Sequence, residues 1–263
     1  VKEISLGGNL GAAVRVGDTV RRRAGPWTPA VHALLRYLES VDFPAPRVRG
    51  MDVDGREILG FIEGEAHSGT FEALPDRIMA DPQLIAAAAL LRRYHDVVAA
   101  FEPPPGARWR LVAPTAAEVI CHNDWSPWNA LLRKGRFALT LDWDLAGPGT
   151  RLWDVANAAY SWAPLASDSW APLASDGGRH KIEDQARRLG LFVDAYGLED
   201  RRELLPTLRL RVQHVARFIG EQAALGDPGM QRLVWWNVPA QMLEDDVRHL
   251  NENQAILERA LSL

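Results

Sequence analysis

The chain has 263 residues, a formal net charge of −4 and 47% hydrophobic residues, a composition unlike that of disordered or fibrous chains. Its length suits one large domain or two lobes around an ample core. The mildly acidic balance speaks against nucleic acid as the main partner, and no stretch reaches the ~18–20 apolar residues of a membrane span.

One cysteine, Cys121, excludes an internal disulfide and suits a reducing compartment. It lies on an apolar run and reads as a small buried hydrophobe. The N-terminal residues lack a basic-then-apolar targeting pattern. These features together lead us to expect a cytoplasmic protein with no membrane contact.

In chain order, Ile4 to Leu6 and Ala12 to Val16 read as strands around the glycine-rich turn Gly7-Gly8-Asn9-Leu10-Gly11. Such a turn lets backbone N–H groups approach phosphates with no side chain between. A third strand follows at Thr19-Val20-Arg21. The next helix is expected over Thr28 to Ser40, with a Thr cap and a proline in its first turn. Phe43-Pro44-Ala45-Pro46 ends it. Arg47 to Met51 and Arg56 to Ile62 read as strands joined by the turn Asp52 to Gly55, and the second runs into Glu63-Gly64-Glu65. Asp81-Pro82 opens a long helix to about Phe101, with apolar residues at Leu84, Ile85, Ala88, Leu91 and Val98. His32 is expected at the surface and His95 in a structural role.

The stretch Cys121 to Asp144, CHNDWSPWNALLRKGRFALTLDWD, carries the chemistry. Val119-Ile120-Cys121 is a short strand that enters a polar loop. Ala130-Leu131-Leu132 and Phe137 to Leu141 are two apolar runs joined across Arg133-Lys134-Gly135-Arg136, a hairpin pattern. Asp124, Asn129 and Asp142 sit at strand ends, where a loop carboxylate, an amide and a second carboxylate can converge. Phosphoryl transfer from a metal nucleotide uses that set: a carboxylate to accept a hydroxyl proton, and hard oxygens for magnesium.

The spacing His122-Asn123-Asp124 through Asn129 matches a kinase catalytic loop, and Asp142-Trp143-Asp144 supplies a D-x-D metal motif. On these residues the chain resembles the aminoglycoside phosphotransferase and choline kinase group, strongly over about 120–160 and more loosely elsewhere. The resemblance implies a mixed α/β, protein-kinase-like fold. A small β-rich lobe over 1–62 would bind the nucleotide, and a larger helical lobe over 63–263 would carry catalysis and the acceptor. It implies ATP or GTP as donor, Mg2+ as cofactor and a small-molecule hydroxyl as acceptor. It gives Asp124 the base role, His122 a structural role in the catalytic loop, and Asn129 and Asp142 the metal. Gly7, Gly8 and Asn9 would cover the phosphates, and Glu63 would lie at the hinge beside the nucleobase. Asp154 would brace the catalytic loop.

Two departures stand out. The strand position that holds a lysine in kinases is Arg21, with Arg22 next to it, and arginine differs from lysine in reach and geometry. The following helix carries Ala30-Val31-His32 where its partner glutamate is usual. The gap from Asp142 to Asp154 leaves no room for a peptide-docking activation segment, which favours a small acceptor.

Trp162 to Ser169 is repeated almost unchanged at Trp170 to Gly177, read as a duplication within a loop. Helices are expected at about 181–196, 200–224, 229–237 and 241–261. Glu183, Asp184, Glu221, Glu244, Asp245 and Asp246 are candidates to face a polycationic acceptor. The basic segment 209–217 would instead suit an anionic one. Three functions stand at this point: an aminoglycoside-phosphotransferase-like kinase, a metabolite kinase for an amino alcohol, amino acid or sugar, and a weakly catalytic nucleotide-binding regulator.

Overall fold

The computed structural model describes residues 2–7, 13–67, 74–167 and 181–262. Strands β1 (Glu3–Ser5), β2 (Val14–Val16) and β3 (Thr19–Arg23) lead to helix α1 (Thr28–Ser40), then to β4 (Val48–Met51), β5 (Arg56–Gly60) and β6 (Glu65–Ala66). Helices α2 (Asp76–Met79) and α3 (Asp81–Val98) follow. Next come β7 (Val119–Cys121), β8 (Ala130–Arg133), β9 (Arg136–Thr140) and β10 (Gly147–Gly149). The remainder is helical: α4 (Arg151–Trp162), α5 (Ile182–Tyr196), α6 (Leu204–Ala224), α7 (Pro228–Trp235), α8 (Val238–Gln241), α9 (Val247–Glu252) and α10 (Gln254–Ala260). A π-helical turn, Met242–Asp246, interrupts the last expected helix, and Asn237 starts α8 from a left-handed conformation. Helix α1 has the expected bounds, but Trp27 is its N-cap. The Thr28 hydroxyl accepts instead from the Gly25 N–H, 2.9 Å away. Among the described residues no helix is long and apolar enough to cross a membrane.

The chain forms two compact units, each discontinuous in sequence. The first comprises Val1–Thr70, Arg93–Asp124 and Trp128–Arg151; the second comprises Phe71–Arg92, Trp125–Pro127 and Leu152–Leu263.

In the first unit a five-stranded sheet runs in the order β1-β2-β3-β5-β4, with antiparallel neighbours. Strands β6, β8 and β9 form a second sheet, and β10 pairs with β7 in a third. Lys134 and Gly135 both have positive φ at the β8–β9 turn, as a tight two-residue hairpin turn requires. The core stacks Phe43 on Tyr94, with ring centroids 5.6 Å apart, and Tyr94 edge-on to Trp143 at 5.1 Å. Trp143 meets His122 at 4.5 Å, so one aromatic row ties the helix-α1 region to the loop that follows β7. The Tyr94 hydroxyl donates to the Ile120 carbonyl at 2.6 Å, which satisfies a polar tip that burial would otherwise penalise.

In the second unit the fully buried Trp125 donates its indole N–H to the Ala87 carbonyl at 3.0 Å. Arg188 of α5 is also buried. It donates to the Trp162 carbonyl at 2.8 Å and to Asp81 at 3.0 Å. Asp246 of the π-turn accepts from the Tyr160 hydroxyl at 2.6 Å and from the Ser167 N–H at 2.8 Å. Asp246 is therefore an interior carboxylate rather than an acceptor-facing one. Burial raises its carboxyl above the usual range despite these donors.

One glycine fixes how the first unit is threaded. A Cβ on Gly147 would sit 1.8 Å from the Leu111 carbonyl oxygen, a backbone atom with no side-chain freedom. The Ala113 N–H donates to the Pro148 carbonyl at 3.0 Å, which pins the 109–113 segment to β10. Gly147→Ala is expected to lose about 2 kcal/mol or more of stability in urea unfolding, as overpacking against fixed atoms does. A change within about 0.5 kcal/mol, ordinary for a harmless substitution, would contradict this account.

Candidate active site

The β8–β9 hairpin brings the candidate metal residues together. The Leu141 N–H donates to the Asn129 carbonyl at 2.8 Å, so Asn129 and Asp142 flank the open end of one ladder. His122 then ties the catalytic loop to that end. Its Nε2–H donates to the Leu141 carbonyl at 3.1 Å, and its Nδ1 accepts from the Asp124 N–H at 3.1 Å. Both bonds are met by one neutral tautomer. Asn123 has φ +65°, a conformation that asparagine tolerates. Its Nδ2 donates to the Leu145 carbonyl at 2.9 Å.

Asn129 Nδ2 donates to Asp124 Oδ2 at 2.8 Å and to the Asp124 carbonyl at 3.0 Å. A carboxylate only accepts, so the amide nitrogen faces Asp124 and Asn129 Oδ1 turns away from it. Asp142 has φ +57°, an uncommon conformation for a non-glycine residue and one that clusters at functional sites. About a third of its side chain is exposed (33%). His122, Asp124, Asn129 and Asp142 thus belong to one linked arrangement.

The cation of this site is Arg22. It lies directly opposite Glu57 in the β3–β5 register, and its Nε donates to Glu57 Oε1. Its Nη1 donates to Asp142 Oδ1 at 2.7 Å and its Nη2 to Asp144 Oδ1 at 2.7 Å. One guanidinium therefore holds three carboxylates. Arg21 alternates to the other face of β3 and lies 3.5 Å from Asp52. Glu57 of β5 occupies the partner role that the sequence suggested for a helix residue. His32 is buried, against the expected surface position, and donates from Nε2 to Glu57 Oε2 at 2.9 Å.

Arg110 completes the cluster. Its side chain is 4% exposed and lies 3.9 Å from Asp144 Oδ2. Its Cζ sits 4.4 Å from the centroid of the Trp27 ring, a cation–π distance. Three carboxylates face two guanidiniums, a surplus of negative charge suited to a cation. The carboxyl groups register it. Burial, Asp142 and Glu57 push Asp144 up to about 6, against Arg22 and Arg110. Burial also raises Asp142, but Arg22 outweighs it and the net direction is down. Glu57 is likewise raised by burial and lowered more by His32 and Arg22. Burial works against the charge on Arg22, yet Asp144, Asp142 and Glu57 hold its pKa well above the ordinary value.

One pattern marks Glu57. Its strand alternates with Leu59 buried on the same face, and an inward charge needs an opposite partner. The helical spacing of His32 with Thr28, Val31 and Leu35 likewise marks a buried face. Arg110, in a segment without regular structure, carried no such signal.

The other expected site residues lie elsewhere. Gly7 has φ +78°, and its N–H lies 3.4 Å from Ser5 Oγ. Gly8 and Asn9 lie outside the described residues, as does the whole second copy of the repeat, Trp170 to Gly177. The Glu63 carboxylate is exposed and pairs with Arg15 at 3.2 Å; its carbonyl accepts from Arg133 Nε at 3.1 Å. The Arg15 guanidinium lies 3.6 Å over the Phe61 ring. Asp154 is fully buried on α4.

Asp142 Oδ2 and Asn129 Oδ1 are hard oxygens with no protein donor on them among the described residues, and they fit magnesium. Among the described residues no group of three or more His, Cys, Asp or Glu could hold a metal ion. Magnesium bound through one or two side chains plus phosphate oxygens needs no such cage.

Glu57→Gln is expected to lose about 1–3 kcal/mol, the cost of removing a buried charged hydrogen-bond partner. Because the folded state lowers the Glu57 pKa, this stability is complete above the ordinary value of 4.5 and is lost as pH falls below it. Thermal unfolding of both proteins from pH 8 to pH 3 checks this. A gap that widens on acidification would contradict the assignment.

Residues 106–191 match the sequence model described as the phosphotransferase enzyme family. A protein named trifolitoxin immunity protein, from Rhizobium leguminosarum bv. trifolii, is 37% identical over 207 residues, which cover 74% of each chain. Among solved structures, the GDP complex of aminoglycoside 2′-phosphotransferase-IIIa is 15% identical, with 94% of this chain and 93% of that one covered and a TM-score of 0.59. Plasmodium vivax ethanolamine kinase is 14% identical, with 93% and 81% covered and a TM-score of 0.58. Choline kinase from Cryptosporidium parvum Iowa II is 12% identical, with 98% and 91% covered and a TM-score of 0.58. These likenesses establish the protein-kinase-like α/β fold, and with the sequence relative and the family match they place the chain in the phosphotransferase enzyme family.

Proposed function

We propose that the protein transfers the γ-phosphoryl group of ATP or GTP to a hydroxyl of a small molecule. The observation that carries this reading is the linkage of Asp124, Asn129 and Asp142 through His122 and the β8–β9 ladder. In it Asp124 orients the acceptor hydroxyl and takes its proton. His122 holds the Asp124 backbone against Leu141, which fixes the base relative to Asp142. Asn129 and Asp142 would hold the magnesium of the nucleotide, and when bound this ion neutralises phosphate charge. Arg22, braced by Glu57 and His32, contacts the nucleotide phosphates in place of the usual lysine. Positioning and charge neutralisation supply most of the rate. Residues 1–62, with Gly7, Gly8 and Asn9, form the nucleotide side, and residues 63–263 supply catalysis, the hinge at Glu63 and the acceptor site. The setting is cytoplasmic.

A second reading takes its motive from the relative named as an immunity protein. Protection against a toxic compound would then be the biological outcome, with or without phosphoryl transfer to that compound.

The test is magnesium-dependent ATP and GTP consumption by the purified protein with aminoglycosides, amino alcohols, amino acids and sugars as acceptors. One acceptor class is expected to stimulate turnover, and Asp124→Asn to lower it by about a hundredfold or more, as loss of a general base does. Undiminished turnover in Asp124→Asn would remove the base assignment. Protection of a sensitive host that survives Asp124→Asn would favour immunity without catalysis.

A further inference from the structure

Arg110 belongs to none of the motifs that mark this site, yet the fold builds it in. Its side chain is nearly buried and lies over Trp27, the residue that starts α1. Gly147 lets the neighbouring Leu111 carbonyl come close to β10, and the Ala113–Pro148 backbone bond fixes that approach. The segment bearing Arg110 is thereby held against the strand that directly follows the D-x-D loop. From there Arg110 faces Oδ2 of Asp144 at 3.9 Å, while Arg22 takes Oδ1 of the same carboxylate at 2.7 Å.

The three guanidinium nitrogens of Arg22 are all committed, to Glu57, Asp142 and Asp144. Under the function proposed above, on which this inference rests, Arg22 must give up part of that arrangement to contact phosphate oxygens. Asp142 must also present an oxygen to the metal. Withdrawing Arg22 from Asp144 would leave a carboxylate only 16% exposed without that counter-ion, and breaking a buried pair from one side is costly. A second guanidinium on the other oxygen removes much of that cost.

We infer that Arg110, stacked on Trp27, is the standing counter-ion of Asp144, and that it frees Arg22 to turn from the Asp142–Asp144 pair to the phosphates of a bound nucleotide. Arg110 is a positioning residue, because it acts through Asp144 and Arg22 and touches no substrate. Without it, Arg22 would remain held by its carboxylates and nucleotide would compete poorly for it.

A double-mutant cycle read by calorimetric titration with magnesium–ADP tests this, using the intact chain as wild type, Arg110→Met, Asp144→Asn and the double variant. Arg110→Met is expected to weaken binding about tenfold or more, equivalent to about 1.4 kcal/mol. The same substitution in the Asp144→Asn background is expected to change binding by less than about twofold, since the carboxylate that Arg110 faces directly is then uncharged. A purely structural role for Arg110, or direct contact with phosphate, would weaken binding equally in both backgrounds, and that result would overturn the inference. So would an affinity of Arg110→Met equal to wild type. Arg110→Lys preserves the charge and supplies the comparison should the methionine variant not fold. It is expected to keep most of the wild-type affinity, and a loss as large as tenfold there would overturn the inference. Absence of binding by the wild type would overturn the nucleotide reading itself and this inference with it. Binding by the wild type together with an unaffected Arg110→Met would overturn the inference alone.

Discussion

One guanidinium shared among three carboxylates is the constraint on which the site depends. Arg22 joins β5, through Glu57, to both acidic residues of the D-x-D loop. A lysine could not do this in the same way, because its single ammonium is a point charge and not a planar fork. The arrangement also explains how the site does without a helix glutamate. The brace for the cation comes from the residue directly across the ladder, and α1 contributes His32 one step further out. The chain of contacts His32–Glu57–Arg22–Asp142 keeps a line from α1 to Asp142 while changing the chemistry at each link.

The scaffold around that line converts local rules into placement. A hairpin turn with two positive-φ residues closes β8 on β9, and the ladder sets Asn129 beside Leu141. His122 uses both ring nitrogens to hold the catalytic loop on the same ladder. The row Phe43–Tyr94–Trp143–His122 packs beneath. Buried ion clusters are weak sources of stability, since desolvation offsets much of their attraction. Here the cluster has more carboxylates than guanidiniums, and burial, with Asp142 and Glu57 nearby, pushes Asp144 up to about 6. Under the proposed function, the surplus negative charge would suit a metal ion and Arg22 would meet the phosphates beside it.

Much of this was legible from residue order alone. The first-turn proline and periodicity of α1, the turn residues of the β8–β9 hairpin and the spacing of Asp124, Asn129 and Asp142 are local signals, and local signals survive in sequence; the cap of α1 did not, since Trp27 and not Thr28 takes that position. Arg22 was visible only as the neighbour of Arg21, because choosing between them requires knowing which face of β3 is covered. Glu57 was not singled out, because only its burial beside Leu59 shows that its charge points inward. His32 fell on the apolar stripe of α1, but its partner is 25 residues away. Arg110 depended on the close approach at Gly147, a contact between segments that no periodicity encodes. The π-turn at Met242–Asp246 was likewise hidden, since its residues are ordinary helix formers. Asp246 therefore looked like a surface charge although it is an interior acceptor for Tyr160.

The most direct measurement is the affinity of magnesium–nucleotide for Arg22→Met compared with Arg21→Met. The two substitutions are chemically identical and one residue apart, on opposite faces of the same strand. Arg22→Met is expected to weaken binding about tenfold or more, while Arg21→Met stays within about twofold of wild type. The reverse order would contradict the assignment of Arg22 as the phosphate-facing cation and, with it, the account of the site.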